Sequence, residues 1–452
     1  MSERADVVVV GMGPGGEEVA GRLAQAGLDV VGVERQLVGG ECPYWGCVPS
    51  KMALRAANLL AEARRVPGMA GDSSVDPDWA PVARRIRDEA TDDWDDRVAV
   101  ERFEGKGGRF IRAQGRIVAP GRVRAGDVEV VAGRAIVVAT GTRTAIPEVP
   151  GLAEIPYWTN REALEAKEAP SSLVVLGGGA VGVELAQGFA RFGVRTTIVE
   201  ALDRLLPGEE PESGDVVGDV LRREGIDVHV GVGAERVDRE GRRYALTLAN
   251  GRVVTGERVL VATGRRLDAA AVGLDAVGVP ADARAVPVDE HLRVAPGVWA
   301  VGDVTGKGAF THVAMYQAGI AAADILGEAH HPAAYHAVPR VTFTDPEVGS
   351  VGLGEAQARQ AGLAVHVGRA DVASSARGWI HKAGNEGFVK VVADAEQGVL
   401  VGATSVGPAG GEVLGMLALA VHARVPVERL GDMIYAYPTF HRAVEDALRD
   451  LH

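Results

Sequence analysis

The feature that most restricts how this chain can fold is a strand, glycine turn, helix and strand unit that occurs twice. Asp6-Val7-Val8-Val9-Val10 is a continuous apolar run of the kind that a parallel strand buried on both faces requires. It leads into Gly11-Met12-Gly13-Pro14-Gly15-Gly16, followed by a helical pattern with Val19, Leu23 and Ala26. Gly27 breaks that helix, and a second strand over Asp29 to Val33 ends in Glu34. The G-x-G-x-x-G spacing puts Gly11, Gly13 and Gly16 where a tight turn and a close approach to a pyrophosphate are needed. Glu34 is placed to accept hydrogen bonds from a ribose hydroxyl. Far downstream, Ser172-Leu173-Val174-Val175-Leu176 runs into Gly177-Gly178-Gly179-Ala180-Val181-Gly182. Here Gly177, Gly179 and Gly182 repeat the spacing. The helix carries Val183, Leu185, Ala186 and Phe189 and stops near Gly193, and a strand over Thr196 to Val199 ends in Glu200. The pattern predicts an α/β fold with two Rossmann-like domains and two bound dinucleotides. Glu200 favours a free 2′-hydroxyl, hence NADH over NADPH, although Arg204 stands nearby.

Shorter signals fit the same layout. Ala135 to Gly141 and Arg258 to Gly264 are strands that end in the same Ala-Thr-Gly turn, which marks Thr140, Gly141 and Gly264. A third strand, Val298 to Val301, ends in Gly302-Asp303. An acid at the C-terminal end of a parallel strand lies where such folds bind ligands, so a cofactor hydroxyl is a plausible partner for Asp303.

The chain of 452 residues holds only two cysteines, Cys42 and Cys47, and they are close enough in sequence to reach each other. A zinc site needs about four ligands, and no His or Cys cluster supplies the others. A structural disulfide is unusual in a large cytosolic protein. Redox chemistry is the reading that remains. The other histidines, including His330-His331, show no metal-ligand spacing, so no metal is expected. A net charge of −13 argues against a general nucleic-acid binder. No apolar run approaches the ~18 residues of a membrane span, and the N-terminus enters a strand at once, so a cytoplasmic protein is expected.

With these elements placed, the chain resembles the flavoprotein disulfide reductases of the dihydrolipoamide dehydrogenase, glutathione reductase and mercuric reductase group. The segment Gly39-Gly40-Glu41-Cys42-Pro43-Tyr44-Trp45-Gly46-Cys47-Val48-Pro49-Ser50-Lys51 carries the family signature. The segment Val338 to Gly352 resembles the start of the family's dimerisation domain. The resemblance implies an FAD domain over residues 1–150 and 270–330, and an NAD domain over 151–269. It implies a C-terminal α+β interface domain of a homodimer over 335–452. Gly11, Gly13, Gly16, Glu34, Thr140, Gly141, Gly302 and Asp303 would serve FAD, and Gly177, Gly179, Gly182, Glu200 and Gly264 would serve NADH. Each active site would combine flavin and cysteines from one subunit with the C-terminal segment of the other. Cys47 would be the flavin-proximal thiolate, beside the N-terminus of a helix that reads from Ser50 onward with Leu54, Leu59, Leu60 and Ala63 as apolar positions. Cys42 would be the outer thiol that attacks the acceptor. Lys51 matches the family lysine near the flavin edge, and Glu184 its acidic partner.

The C-terminus departs from the pattern. In Tyr435-Ala436-Tyr437-Pro438-Thr439-Phe440-His441-Arg442, Tyr437 occupies the family's histidine position and Arg442 its glutamate position. A phenol is a poor base at neutral pH. His441, read as one helical turn past Tyr437, is either a displaced acid/base or a surface residue at a helix start. Pro43-Tyr44-Trp45 also adds bulk between the cysteines, which is expected to reshape access to them. The general reading is an FAD enzyme passing electrons from NAD(P)H to Cys42–Cys47 and on to a disulfide. The alternative is a quinone, a metal ion or an electrophilic carbon acceptor on the same scaffold, as in the ketopropyl-coenzyme M carboxylase type.

Overall fold

The computed structural model describes residues 2–452. The chain divides into two compact units. The first takes residues up to Ser50, Arg84–Ala145 and Arg265–Tyr335, and the second takes Lys51–Ala83, Ile146–Gly264 and His336–His452.

The first unit is built on an eight-stranded sheet. The strand order is Arg293–Ala295, Val298–Ala300, Val128–Val138, Ser2–Val10, Val30–Glu34 and Arg109–Arg112, with a side arm of Gly115–Ala119 and Arg122–Ala125. The strands from Val298–Ala300 to Arg109–Arg112 run parallel, with Val7 opposite Val30 and Val9 opposite Val137. Side chains alternate between faces along a strand. Val7 and Val9 pack on one face with Val19, Leu23 and Phe103. Val8 and Val10 pack on the other with Ile117, Leu274 and Val286. Both faces are covered, which is why the run Val7 to Val10 carries no polar residue. The helix Pro14–Gln25 buries Val19, Ala20, Leu23 and Ala24, whereas Ala26 is an exposed C-cap rather than part of the apolar stripe.

The second unit contains a four-stranded parallel sheet in the order Asp227–His229, Arg195–Val199, Ser172–Leu176, Arg258–Val261. A three-stranded antiparallel sheet and a five-stranded antiparallel sheet follow. The five-stranded one is ordered Pro339–Thr342, Glu347–Gly352, Val399–Gly407, Phe388–Asp394, Val365–Asp371, and its core takes in the helices Gly410–His422 and Arg442–Arg449. The α/β class with a C-terminal α+β region is therefore the observed one. Among the described residues no helix is long and apolar enough to cross a membrane.

The helix expected from Ser50 starts earlier, at Cys47, and runs to Arg65. Its buried stripe is Ala53, Leu54, Ala57 and Ala61. That is the i, i+4 and i+3, i+4 spacing of one face, and Leu59 falls outside it and is exposed.

Lys390, on the strand Phe388–Asp394, is only 4% exposed. Its ammonium meets Glu210 at 2.9 Å, Glu212 at 2.8 Å and Glu355 at 3.0 Å. Burial opposes the charge on Lys390, but the three carboxylates outweigh it and push its pKa up. The hydrogen bond from Lys390 holds Glu355 below the usual carboxylate range, and at Glu212 burial pushes the carboxyl up but the same lysine outweighs it and holds it down. Removing one partner of such a buried group leaves uncompensated charge, at a cost of about 3–5 kcal/mol. Lys390→Met is expected to lower the melting temperature by on the order of 10 °C at neutral pH, read by scanning calorimetry. The folded pKa values of Glu212 and Glu355 are depressed, so the stability these two contribute is present above their unfolded value of about 4.3 and is lost as pH falls through the folded values. The gap between Lys390→Met and wild type should narrow correspondingly below about pH 4.

Candidate active site

Each glycine turn is held by the acid that ends the following strand. Glu34 accepts the amide of Met12 at 3.0 Å on one oxygen and that of Gln36 at 2.8 Å on the other. Glu200 accepts the amides of Gly178 at 2.6 Å and Leu202 at 2.7 Å. A carboxylate offers about four lone pairs, so each retains acceptor capacity for a sugar hydroxyl. Gly11 sits at φ +93°, and a Cβ on Gly16 would lie 2.0 Å from the Gly11 carbonyl oxygen. Gly177 and Gly182 repeat this geometry, with φ +108° and the same 2.0 Å clash. Gly13 and Gly179, the N-caps, face open space, and neither the helix Pro14–Gln25 nor the helix Ala180–Arg191 has a side-chain cap. Their first-turn amides suit an anion.

A cleft in the first unit is lined by Gly11, Glu34, Thr140, Gly141 and Thr142, among others. The Thr140 hydroxyl is buried there with no hydrogen-bond partner. An orphaned hydroxyl beside uncapped amides fits a polar, phosphate-bearing group such as FAD. Asp303 begins the turn after Gly302, whose φ is +83°. Its carboxylate accepts from the Thr142 hydroxyl at 3.0 Å and stands 3.8 Å from Arg265. Burial pushes the Asp303 carboxyl up, against the pull of Arg265 and Thr142. Arg265 also donates to the Thr142 hydroxyl and carbonyl and lies 4.0 Å from Glu41, beside Cys42. Arg265 and Thr142 were not found from sequence; the Thr263-Gly264-Arg265 turn was the available signal.

The two cysteines are side-chain hydrogen-bonding partners, and Thr311 hydrogen-bonds Cys42 and stands 3.4 Å from the Cys47 sulfur. The bond to Cys47, then burial, pushes the Cys42 thiol far up, while the Thr311 hydroxyl pulls it down. Cys47 opens its helix and is exposed, and Cys42 is partly buried. In the Pro43-Tyr44-Trp45 insert both aromatic rings are buried, with centroids 5.8 Å apart. Burial and nearby Asp96 push the Tyr44 phenol up to about 12.

Lys51 and Glu184 are brought together as expected. The ammonium lies 2.8 Å from one Glu184 oxygen and 4.6 Å from the centre of the Phe343 ring, and the other Glu184 oxygen accepts the Phe343 amide at 2.8 Å. Glu184 is buried, so neither residue is a freely solvated surface charge. Tyr437 is 72% exposed. It lies in a turn rather than a helix, and His441 is the N-cap of the helix Arg442–Arg449, so the two are not stacked one helical turn apart. The Arg442 guanidinium packs 5.9 Å from the Tyr437 ring centre and pairs with Glu445 at 2.6 Å.

A model of the pyridine nucleotide-disulphide oxidoreductases matches residues 5–318, and a model of their dimerisation domain matches residues 338–448. The chain belongs to this family. The dihydrolipoyl dehydrogenase of Haloferax volcanii is 34% identical over 98% of this chain and 95% of its own length. Two solved structures cover 99% of this chain and are themselves 99% covered: the Cu(II) complex of the HOCl-induced flavoprotein disulfide reductase RclA from Escherichia coli, with a TM-score of 0.86 at 25% identity, and LpdA from Mycobacterium tuberculosis, with 0.86 at 26%. As a pyridine nucleotide-disulphide oxidoreductase, the protein is an FAD enzyme of NAD(H) that moves electrons between nucleotide and disulfide, and it carries the family's dimerisation domain.

Thr311, at the dithiol, is a residue that no motif pointed to, because a hydroxyl at the start of a helix is ordinary. A hydrogen bond to a charged group is worth about 1.5–3 kcal/mol. Thr311→Val is expected to slow iodoacetamide capture of the reduced dithiol at pH 7.5 by about tenfold and to move its pH profile upward by about one unit. Thr311→Ser should restore both.

Proposed function

We propose that this oxidoreductase reduces a small-molecule or protein disulfide at Cys42, as a cytoplasmic homodimer that draws electrons from NADH. The observation that carries this reading is the contact set in which Cys42 and Cys47 hydrogen-bond each other and the Thr311 hydroxyl meets both sulfurs. In the exchange, the Cys42 sulfur attacks one sulfur of the acceptor, the acceptor S–S bond breaks, and the leaving sulfur takes a proton. The Cys47 sulfur then attacks Cys42, releasing the second acceptor thiol and closing the Cys42–Cys47 disulfide. Two electrons and two protons pass to the acceptor. FAD, when bound, supplies the two-electron relay that lets NADH reduce that disulfide again.

Residues 1–150 and 270–330 hold FAD in this reading, through the turn Gly11, Gly13 and Gly16, the acid Glu34, the pair Thr140 and Gly141, and the pair Gly302 and Asp303. Residues 151–269 hold NADH through Gly177, Gly179, Gly182, Glu200 and Gly264, and residues 335–452 make the dimer contact. Glu200, at the end of the strand after the second glycine turn, supports NADH over NADPH. Lys51, fixed by Glu184, supplies a positive charge for the electron relay.

The family's histidine and glutamate are absent, so Cys42 must lose its proton to Tyr437, to His441 or to solvent. The nucleophilic fraction of a thiol with a raised pKa grows about tenfold per pH unit below that pKa. NADH oxidation with lipoamide is therefore expected to be slow near pH 7 and to climb steeply towards pH 9. Cys42→Ser should abolish it, and Tyr437→Phe should leave it within about threefold if solvent takes the proton. Rapid turnover of a quinone that survives Cys42→Ser, with no lipoamide activity at any pH, would sink the disulfide reading in favour of a non-disulfide acceptor.

A further inference from the structure

Outside the dithiol and the nucleotide turns, one cluster of ligating side chains has no part in the chemistry above. His291 lies in the turn before the strand Arg293–Ala295, Asp324 in the last turn of the helix Thr311–Leu326, and His330 just beyond that helix. One ligand atom from each lies within 4.8 Å of the others. The two imidazole rings meet edge-on with centroids 5.0 Å apart, and His330 Nε2 is 3.3 Å from Asp324 Oδ1. We propose that His291, Asp324 and His330 form a binding site for a divalent transition-metal ion of the zinc type.

Three observations support it. The donor set, two imidazoles and a carboxylate, is one that zinc accepts. Asp324 is held by outer partners in the manner of a ligating carboxylate: its Oδ2 accepts from Arg293 Nε at 2.7 Å and from Trp299 Nε1 at 2.8 Å. His291 Nδ1 is buried with no hydrogen-bond partner, a cost that a metal bond would remove. His330 is oriented as well, with its Nδ1 3.1 Å from the His331 carbonyl. Arg293 Nη2 also contacts Asp324 Oδ1, at 2.5 Å, so a cation entering here faces a neighbouring guanidinium and binds more weakly than in a dedicated structural site. Bonds of about 2.0–2.2 Å place neighbouring ligand atoms about 3.4 Å apart, so the cluster closes by roughly one ångström on binding. The ion would tie the end of the helix Thr311–Leu326 to the turn at His291.

The test is calorimetric titration of Zn²⁺ into the FAD-loaded protein with Cys42 and Cys47 oxidised, so that the thiols do not compete. The expected result is one ion per chain. His291→Ala and His330→Ala should each weaken binding by about tenfold or more. His331→Ala, which removes an exposed neighbour outside the cluster, should change nothing. His291→Ala leaves the Asp324 pairing with Arg293, Trp299 and His330 in place, so it probes the site with the local network intact. Absence of saturable binding, or binding that survives both His291→Ala and His330→Ala, overturns the proposal. Binding lost instead on replacing His336, whose ring stacks on that of His422 elsewhere in the chain, overturns it equally.

Discussion

A carboxylate folded back on a glycine turn is the interaction on which the rest of this protein depends. A chain reversal with no side chains has little to hold its shape, and the amides that serve a dinucleotide are the ones left without backbone partners. Glu34 and Glu200 solve this by gripping the turn from the end of the next strand, at Met12 and Gly178. The grip fixes the turn and keeps the helix N-terminus uncapped. The parallel register of the flanking strands then follows, with Gly11 and Gly177 donating to the carbonyls of Val33 and Val199.

What could be read from the residues was whatever is local or periodic. The runs Val7 to Val10 and Leu173 to Leu176 announce themselves because burial on both faces permits no polar residue. The two glycine turns and the redox segment are contiguous, and so are their acids. The pairing of Lys51 with Glu184 was legible through resemblance alone, since nothing in the spacing brings them together. Thr311, Thr142 and Arg265 were not legible, because their importance arises from tertiary placement beside Cys47 and Asp303. The His291–Asp324–His330 cluster was hidden for the same reason: ligands drawn from a turn, a helix end and a loop leave no spacing pattern. Leu59 was misjudged because an apolar residue in a helix is not always on the buried stripe, and Tyr437 because a turn, not a helix, leads to His441.

In the C-terminal segment, Tyr437 and Arg442 stand where the family resemblance implies an imidazole and a carboxylate, and the guanidinium lies 5.9 Å from the phenol ring centre. The guanidinium answers to Glu445, so the local charge stays balanced while a strong proton acceptor near neutral pH is lost.

The inward packing of Tyr44 and Trp45 has a consequence for selectivity. Large residues between reactive sulfurs ordinarily narrow the opening and act as a sieve. Here both rings are buried, so their bulk is withdrawn from solvent. The span between the sulfurs is therefore anchored by two buried aromatic rings. Replacing either ring would disturb the setting of the sulfurs before it changed the size of acceptor admitted.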